Sequence, residues 1–201
     1  MESAPASQAE ALNALFAEAD RLQQEVHSQN PEMICHAGCS FCCEHHGSPI
    51  TYALEWQGIE ALLAQDAAFT ARVKARFETL KQGLRQNLKS GELVSLREAL
   101  FETTCPFLED RRCSVYAARP LTCRTFGNTR LFADSAPDNW QEIYSCSMEK
   151  ERWEKQLKMA DAPPLNLPPR ETLFQTLEGL DGKPASSLLV FLERYFAHAT
   201  P

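Results

Sequence analysis

The chain reads as a mostly α protein: a single helical domain carrying an irregular, cysteine-rich metal-binding section. Three observations predict this. Apolar residues recur at three- and four-residue spacing over long stretches. No run alternates with the period of two that a half-buried strand requires. A turn-rich, arginine-rich stretch at 103–140 interrupts the helical pattern and carries Cys105, Cys113 and Cys123.

The elements follow in order. Leu12, Leu15, Phe16, Ala19, Leu22 and Val26 keep helical spacing, which predicts an amphipathic helix over 7–28, ended by Asn30-Pro31. After the first cysteines, Gly47-Ser48-Pro49 marks a turn. Helical spacing resumes over 53–63, with Leu54, Ile59, Leu62 and Leu63 as core candidates. Phe69, Val73, Phe77, Leu80, Leu84 and Leu88 give the cleanest helix, closed by Ser90-Gly91. A short helix is expected near 92–102, and a longer one over 141–159. The prolines at 163, 164, 168 and 169 predict a stiff linker. Two helices finish the chain, near 171–178 and 186–198. In the last, Leu188, Phe191, Leu192, Tyr195 and Phe196 share one face. The expected organisation is an N-terminal helix over 1–32, a cysteine-cluster domain over 33–160, and a linker with C-terminal helices over 161–201 packing on the same core.

Composition is that of a globular protein, with 44% hydrophobic and 23% charged residues among 201. A formal net charge of −7 argues against non-specific nucleic-acid binding. Residues 1–30 lack the basic start and apolar run of a secretion signal, and no segment has the length of a membrane span. A cytoplasmic protein with no membrane partner is expected. In a reducing compartment, clustered cysteines hold metal or do redox work more often than they form stable disulfides.

The eight cysteines fall into two sets. Cys35, Cys39, Cys42 and Cys43 crowd into the nine residues "CHAGCSFCC"; Cys105, Cys113, Cys123 and Cys146 follow after 61 intervening residues. Thiolate is a soft donor suited to zinc, Cu(I) and iron–sulfur clusters, and four complete a tetrahedral zinc site or a four-iron cluster. Were 35–43 one helix, its cysteines would project within an arc of about 100°, but Cys35 and Cys43 would stand about 12 Å apart along the axis. Sulfurs on one zinc lie only about 4 Å apart, given bonds of about 2.3 Å. Either Gly38 breaks the helix, or the first set shares its metal with the second; sharing is favoured.

Other readings compete. Free cysteine can be a small buried hydrophobe, but four in nine residues is hard to explain by packing. Cys39 and Cys42 supply a C-x-x-C, without the βαβ surroundings of a thioredoxin-type dithiol. Cys35, Cys39 and Cys42 match the C-x₃-C-x₂-C spacing of radical S-adenosylmethionine enzymes, yet the chain has neither the length nor the strands of their α/β barrels. His36, His45 and His46 are capable zinc ligands, though eight cysteines make them unnecessary. Arg111, Arg112, Arg119, Arg124 and Arg130 give 111–130 a charge of +5, leaving −12 elsewhere. Guanidinium groups there could offset an anionic thiolate site, Arg124 beside Cys123 above all, or simply form a solvated basic loop.

"CHAGCSFCC" followed by "CPFLEDRRCSVYAARPLTCRTF" resembles the YkgJ-like cysteine-cluster family, described as "putative zinc- or iron-chelating" domains. The match runs through Cys35, Cys39, Cys42, Cys43, Cys105, Pro106, Phe107, Leu108, Cys113, Tyr116, Arg119, Pro120, Cys123 and Arg124, with Cys146 as an addition. The resemblance implies a protein that chelates zinc or iron through all eight cysteines. On that basis Pro106 and Pro120 stiffen ligand-bearing turns, while Phe107, Leu108, Val115 and Tyr116 form a drying apolar wall. The alternative is an iron–sulfur protein, with a 4Fe-4S cluster and a redox or enzymatic role. A related cluster occurs in flagellin lysine methylases, but no Gly-rich strand–loop–helix for their cofactor is visible here. No catalytic constellation stands out, so non-enzymatic metal binding is expected.

Overall fold

The computed structural model describes residues 7–36, 38–90, 103–132, 142–159 and 166–198. Among them the helices are α1 (Gln8–Gln29), α2 (Phe41–His45), α3 (Ala53–Gln65), α4 (Ala67–Ser90), α5 (Leu121–Arg124), α6 (Ser147–Leu157), α7 (Arg170–Asp181) and α8 (Leu188–His198). Four two-residue strands, β1 (Ile50–Thr51), β2 (Leu108–Glu109), β3 (Arg112–Cys113) and β4 (Ser186–Ser187), and a 3-10 turn at Tyr116–Ala118 complete the inventory. The protein is mostly α. Among the described residues no helix is long and apolar enough to cross a membrane. The helix expected near 92–102 and the prolines at 163 and 164 lie outside the described residues.

The chain divides into two compact units, each assembled from two stretches of sequence. The first comprises Met1–Ala37 and Leu121–Lys183. Its α1 starts at a capping box: Ser7 Oγ accepts from Glu10 N–H while Glu10 Oε2 accepts from Ser7 N–H at 2.7 Å. It stops where Asn30 Nδ2 donates to the Val26 carbonyl. The stripe Leu12, Leu15, Ala19 and Val26 is buried, as its spacing predicts, and α1 packs on α7 and α5. Val26, Met33, Ile143, Trp153 and Leu167 form a core against which Cys35 packs. The expected helix over 141–159 is shorter at its start: Ile143 is bridged to Arg130, and Cys146 occupies the N-cap of α6. Arg130 N–H also donates to the Pro168 carbonyl, and the Arg130 carbonyl accepts from Arg170 N–H, so the described end of the Pro-rich segment is tied down.

The second unit comprises Gly38–Pro120 and Pro184–Pro201. Helices α3 and α4 are separated only by Asp66, whose carboxylate accepts from Phe69 N–H and so caps the new helix. Phe69, Val73 and Phe77 of α4 meet Ile59 and Leu63 of α3 and Leu188, Leu192 and Phe196 of α8 in one core. Trp56, absent from the expected core list, stacks on Phe191 at 5.5 Å. The last helix was expected from 186, but Ser186 and Ser187 pair antiparallel with Thr51 and Ile50, and α8 begins at Leu188. β2 and β3 form a hairpin whose turn, Asp110-Arg111, takes φ of 47° and 60°. Two left-handed residues are what a tight hairpin turn demands. A two-residue strand is too short to show an alternating pattern, which is why the sequence contained no sign of either sheet.

Candidate metal centre

The first cysteine set is not one helix. Gly38 adopts φ +103°, a conformation open to glycine, and breaks the segment between Cys35 and Cys39. Helix begins only at Phe41, so Cys42 and Cys43 sit on the single short turn of α2 while Cys35 belongs to the first unit. Of the two alternatives the sequence poses, a break at Gly38 or a metal shared with the second set, the break occurs.

In the second unit, residues 43–47 lie directly against residues 103–105. Cys105 N–H donates to the Cys43 carbonyl at 2.6 Å, and Gly47 N–H donates to the Thr103 carbonyl at 2.6 Å. Thr104 Oγ1 donates to the carbonyl of Glu44. A Cβ at Gly47 would stand 2.1 Å from Cys105 N and 2.5 Å from the Thr103 carbonyl oxygen, so only glycine admits this crossing. Beyond it, Phe107 anchors in the core, and its carbonyl accepts from Ser114 N–H at 2.9 Å. The hairpin register then brings Cys113 opposite Leu108.

The thiols of Cys42, Cys43, Cys105 and Cys113 consequently share one electrostatic neighbourhood. Cys42 and Cys43 share a hydrogen bond that lowers the Cys42 thiol to about 7 and raises that of Cys43, which burial and the charges of Cys42, Cys105 and Cys113 push up further. Burial pushes Cys105 up to about 12, opposed chiefly by a hydrogen bond from the Phe107 backbone and slightly by the charge of Arg76, while Cys113 and Cys42 add to the rise. Four such groups cannot ionise together without a cation between them. As the side chains stand, no three His, Cys, Asp or Glu donors among the described residues form a ready ligand set. The fit to a soft metal is thus one of donor type and backbone placement.

Cys35, Cys123 and Cys146 belong to the first unit. Cys35 Sγ donates to the Phe126 carbonyl at 3.3 Å, three residues beyond Cys123. Gly127, at φ +89°, is pressed on it so closely that a Cβ would lie 2.5 Å from the sulfur. Gly127 N–H reaches the carbonyl of Tyr144, two residues before Cys146. Glu149, 0% exposed, accepts from the N–H groups of Ile34 and Cys35 at 2.8 and 3.0 Å through Oε2 and pairs with Arg152 through Oε1. Gly47, Gly127 and Glu149 were not singled out by the sequence as site residues. A glycine beside a ligand segment was the one available sign.

The neighbours divide similarly. Arg124, 3% exposed, pairs with Asp20 at 2.5 Å and lies over the Phe16 ring. Arg119 lies over Tyr116 at 3.8 Å and donates to its carbonyl. Phe107 and Val115 are buried as an apolar wall requires, but Tyr116 is 43% exposed. The His45 and His46 rings lie 4.4 and 6.3 Å from that of Phe41.

A family model for the CxxCxxCC domain, whose description is "putative zinc- or iron-chelating domain", matches residues 34–147. No curated protein and no solved structure matches the chain.

Proposed function

We propose that this chain, which belongs to the CxxCxxCC family of zinc- or iron-chelating domains, is a protein whose principal act is to hold metal through cysteine thiolates. The centre we infer in the second unit uses Cys42, Cys43, Cys105 and Cys113. One observation carries the reading: the backbone of Cys43 is bonded to that of Cys105 at a crossing which glycine at 47 alone permits.

Chemistry supports the same centre. A bound cation would stabilise thiolates that otherwise repel one another, and their deprotonation would accompany binding. Burial of Cys105 and the apolar wall of Phe107 and Val115 would keep competing water away.

Metal analysis of protein purified without oxygen tests this. Stoichiometric zinc in a colourless sample, or iron with absorption near 400 nm, supports thiolate chelation and names the metal. Protein that binds neither, and gains neither on reconstitution, overturns it.

A further inference from the structure

We propose that Arg76, on α4, is a positioning residue of the thiol cluster: its guanidinium clamps the turn after Cys105 and offers Nη2 to the Cys105 thiolate when metal is bound. This rests on the thiolate-chelation reading above. It adds a partner that brings charge and a hydrogen bond but no coordinating atom, from a helix that carries no cysteine.

The pattern of α4 decides where this side chain goes. Val73 and Phe77 are buried in the core, and Arg72 and Arg76 stand one turn apart beside that stripe. Both reach the same partner: Arg72 Nε lies 3.0 Å from Glu109 Oε1, and Arg76 Nη1 lies 2.8 Å from it. Arg76 goes further, donating from Nε to the Pro106 carbonyl at 2.6 Å. Between these two contacts, Leu108 N–H closes a turn on the Cys105 carbonyl at 3.0 Å. Two nitrogens of one guanidinium therefore grip that turn at residues 106 and 109.

The third nitrogen carries the inference. Arg76 Nη2 is buried and makes no hydrogen bond. A buried donor in that condition is costly and asks for an acceptor. Guanidinium is planar, so with Nε and Nη1 engaged the direction of Nη2 is fixed. The charge of Arg76 bears on Cys105, a buried thiol to which the Phe107 backbone also bonds. A neutral thiol accepts weakly, whereas a cationic donor to a thiolate makes a charge-assisted bond. A divalent ion with four thiolates keeps a net negative charge, which a fixed guanidinium offsets. The sequence points to the arginines of 111–130 for that charge. Of these, Arg119 lies over Tyr116, and Arg124 pairs with Asp20 in the first unit.

Cobalt(II) and zinc binding to metal-free protein, without oxygen, test this with Arg76→Gln and, as a control, Arg72→Gln. The control breaks a contact to the same Glu109 but leaves the guanidinium of Arg76 in place. We expect Arg76→Gln to bind as many ions as the wild type, with zinc held about 10–100-fold more weakly. Its sulfur-to-cobalt charge-transfer band should lie at longer wavelength, because the thiolate has lost a donor. Arg72→Gln should match the wild type in both respects. An unshifted band in Arg76→Gln overturns the proposal while chelation stands. An equal shift in Arg72→Gln also overturns it, since the cause would then be the tether to Glu109. A wild type that binds no ion overturns the chelation reading and this proposal with it. Should Arg76→Gln fail to fold, Arg76→Lys takes its place. Lysine keeps the charge on one nitrogen where arginine fixes three, so the band should still move, and a band that stays overturns the proposal.

Discussion

The amide of Cys105 donates to the carbonyl of Cys43 across 61 intervening residues, and Gly47 lies against the same short stretch. This crossing joins Cys43 of the first cysteine set to Cys105 of the second. Gly47→Ala would place a methyl group inside the backbone of 103–105. Over-packing of this kind costs about 1–3 kcal/mol. Denaturant melts should register that loss, and metal content should fall with it. Gly83→Ala, at a position where a Cβ meets nothing within 4 Å, should do neither.

Glu149→Ala would leave the guanidinium of Arg152 and the amides of Ile34 and Cys35 without their buried acceptor. Removing one partner of a buried pair costs about 3–5 kcal/mol. Thermal unfolding should show a large drop, and hydrogen exchange at 34 and 35 should speed up most.

The helices were legible because each buries a stripe that recurs every three or four residues. Val73 and Phe77 of α4, and Leu188 and Leu192 of α8, are core residues on that ground alone. Which helix meets which was not legible, since an apolar stripe does not name its partner. The division into two discontinuous units is therefore visible only in the fold. For the site, cysteine spacing identified soft donors and excluded a single straight helix. It could not assign donors to units, because that depends on Gly38 turning left-handed and on Gly47 and Gly127 admitting close neighbours. The sequence places Arg124 beside Cys123 but says nothing of Asp20 and Phe16, which pack against it from α1.

The hairpin between Cys105 and Cys113 is tied to α4 by Glu109, which Arg72 and Arg76 hold as an ion pair. Hydrogen bonding to Arg72, then to Arg76, keeps the Glu109 carboxyl below its usual value despite some burial. A depressed carboxylate contributes stability that is present above the unfolded value of about 4.3 and is lost as pH falls through the folded value. The pair is partly exposed, so the contribution is below about 1 kcal/mol and shrinks with salt. Glu109→Gln should thus destabilise at pH 7 and converge on the wild type as pH falls below the folded value of Glu109. A difference that persists at low pH would rule out this ion pair as its source.

Metal removal should loosen the ligand segments more than the helices. The core formed by α3, α4 and α8 rests on apolar contacts among the helices themselves, whereas residues 39–47 and 103–116 carry the proposed ligands. Far-ultraviolet circular dichroism should change little on chelation, while hydrogen exchange rises in those two segments. Equal exchange with and without metal would speak against a centre at the crossing.

The central claim is that Cys43 and Cys113, from distant segments, serve one ion. The affinity for zinc of Cys43→Ser, Cys113→Ser and the double variant, measured by chelator competition, tests it most directly. If the two thiols share a centre, each single variant loses the same ion, and the double variant loses no more than either. Single variants that each lose a different ion, with both lost in the double variant, would contradict it.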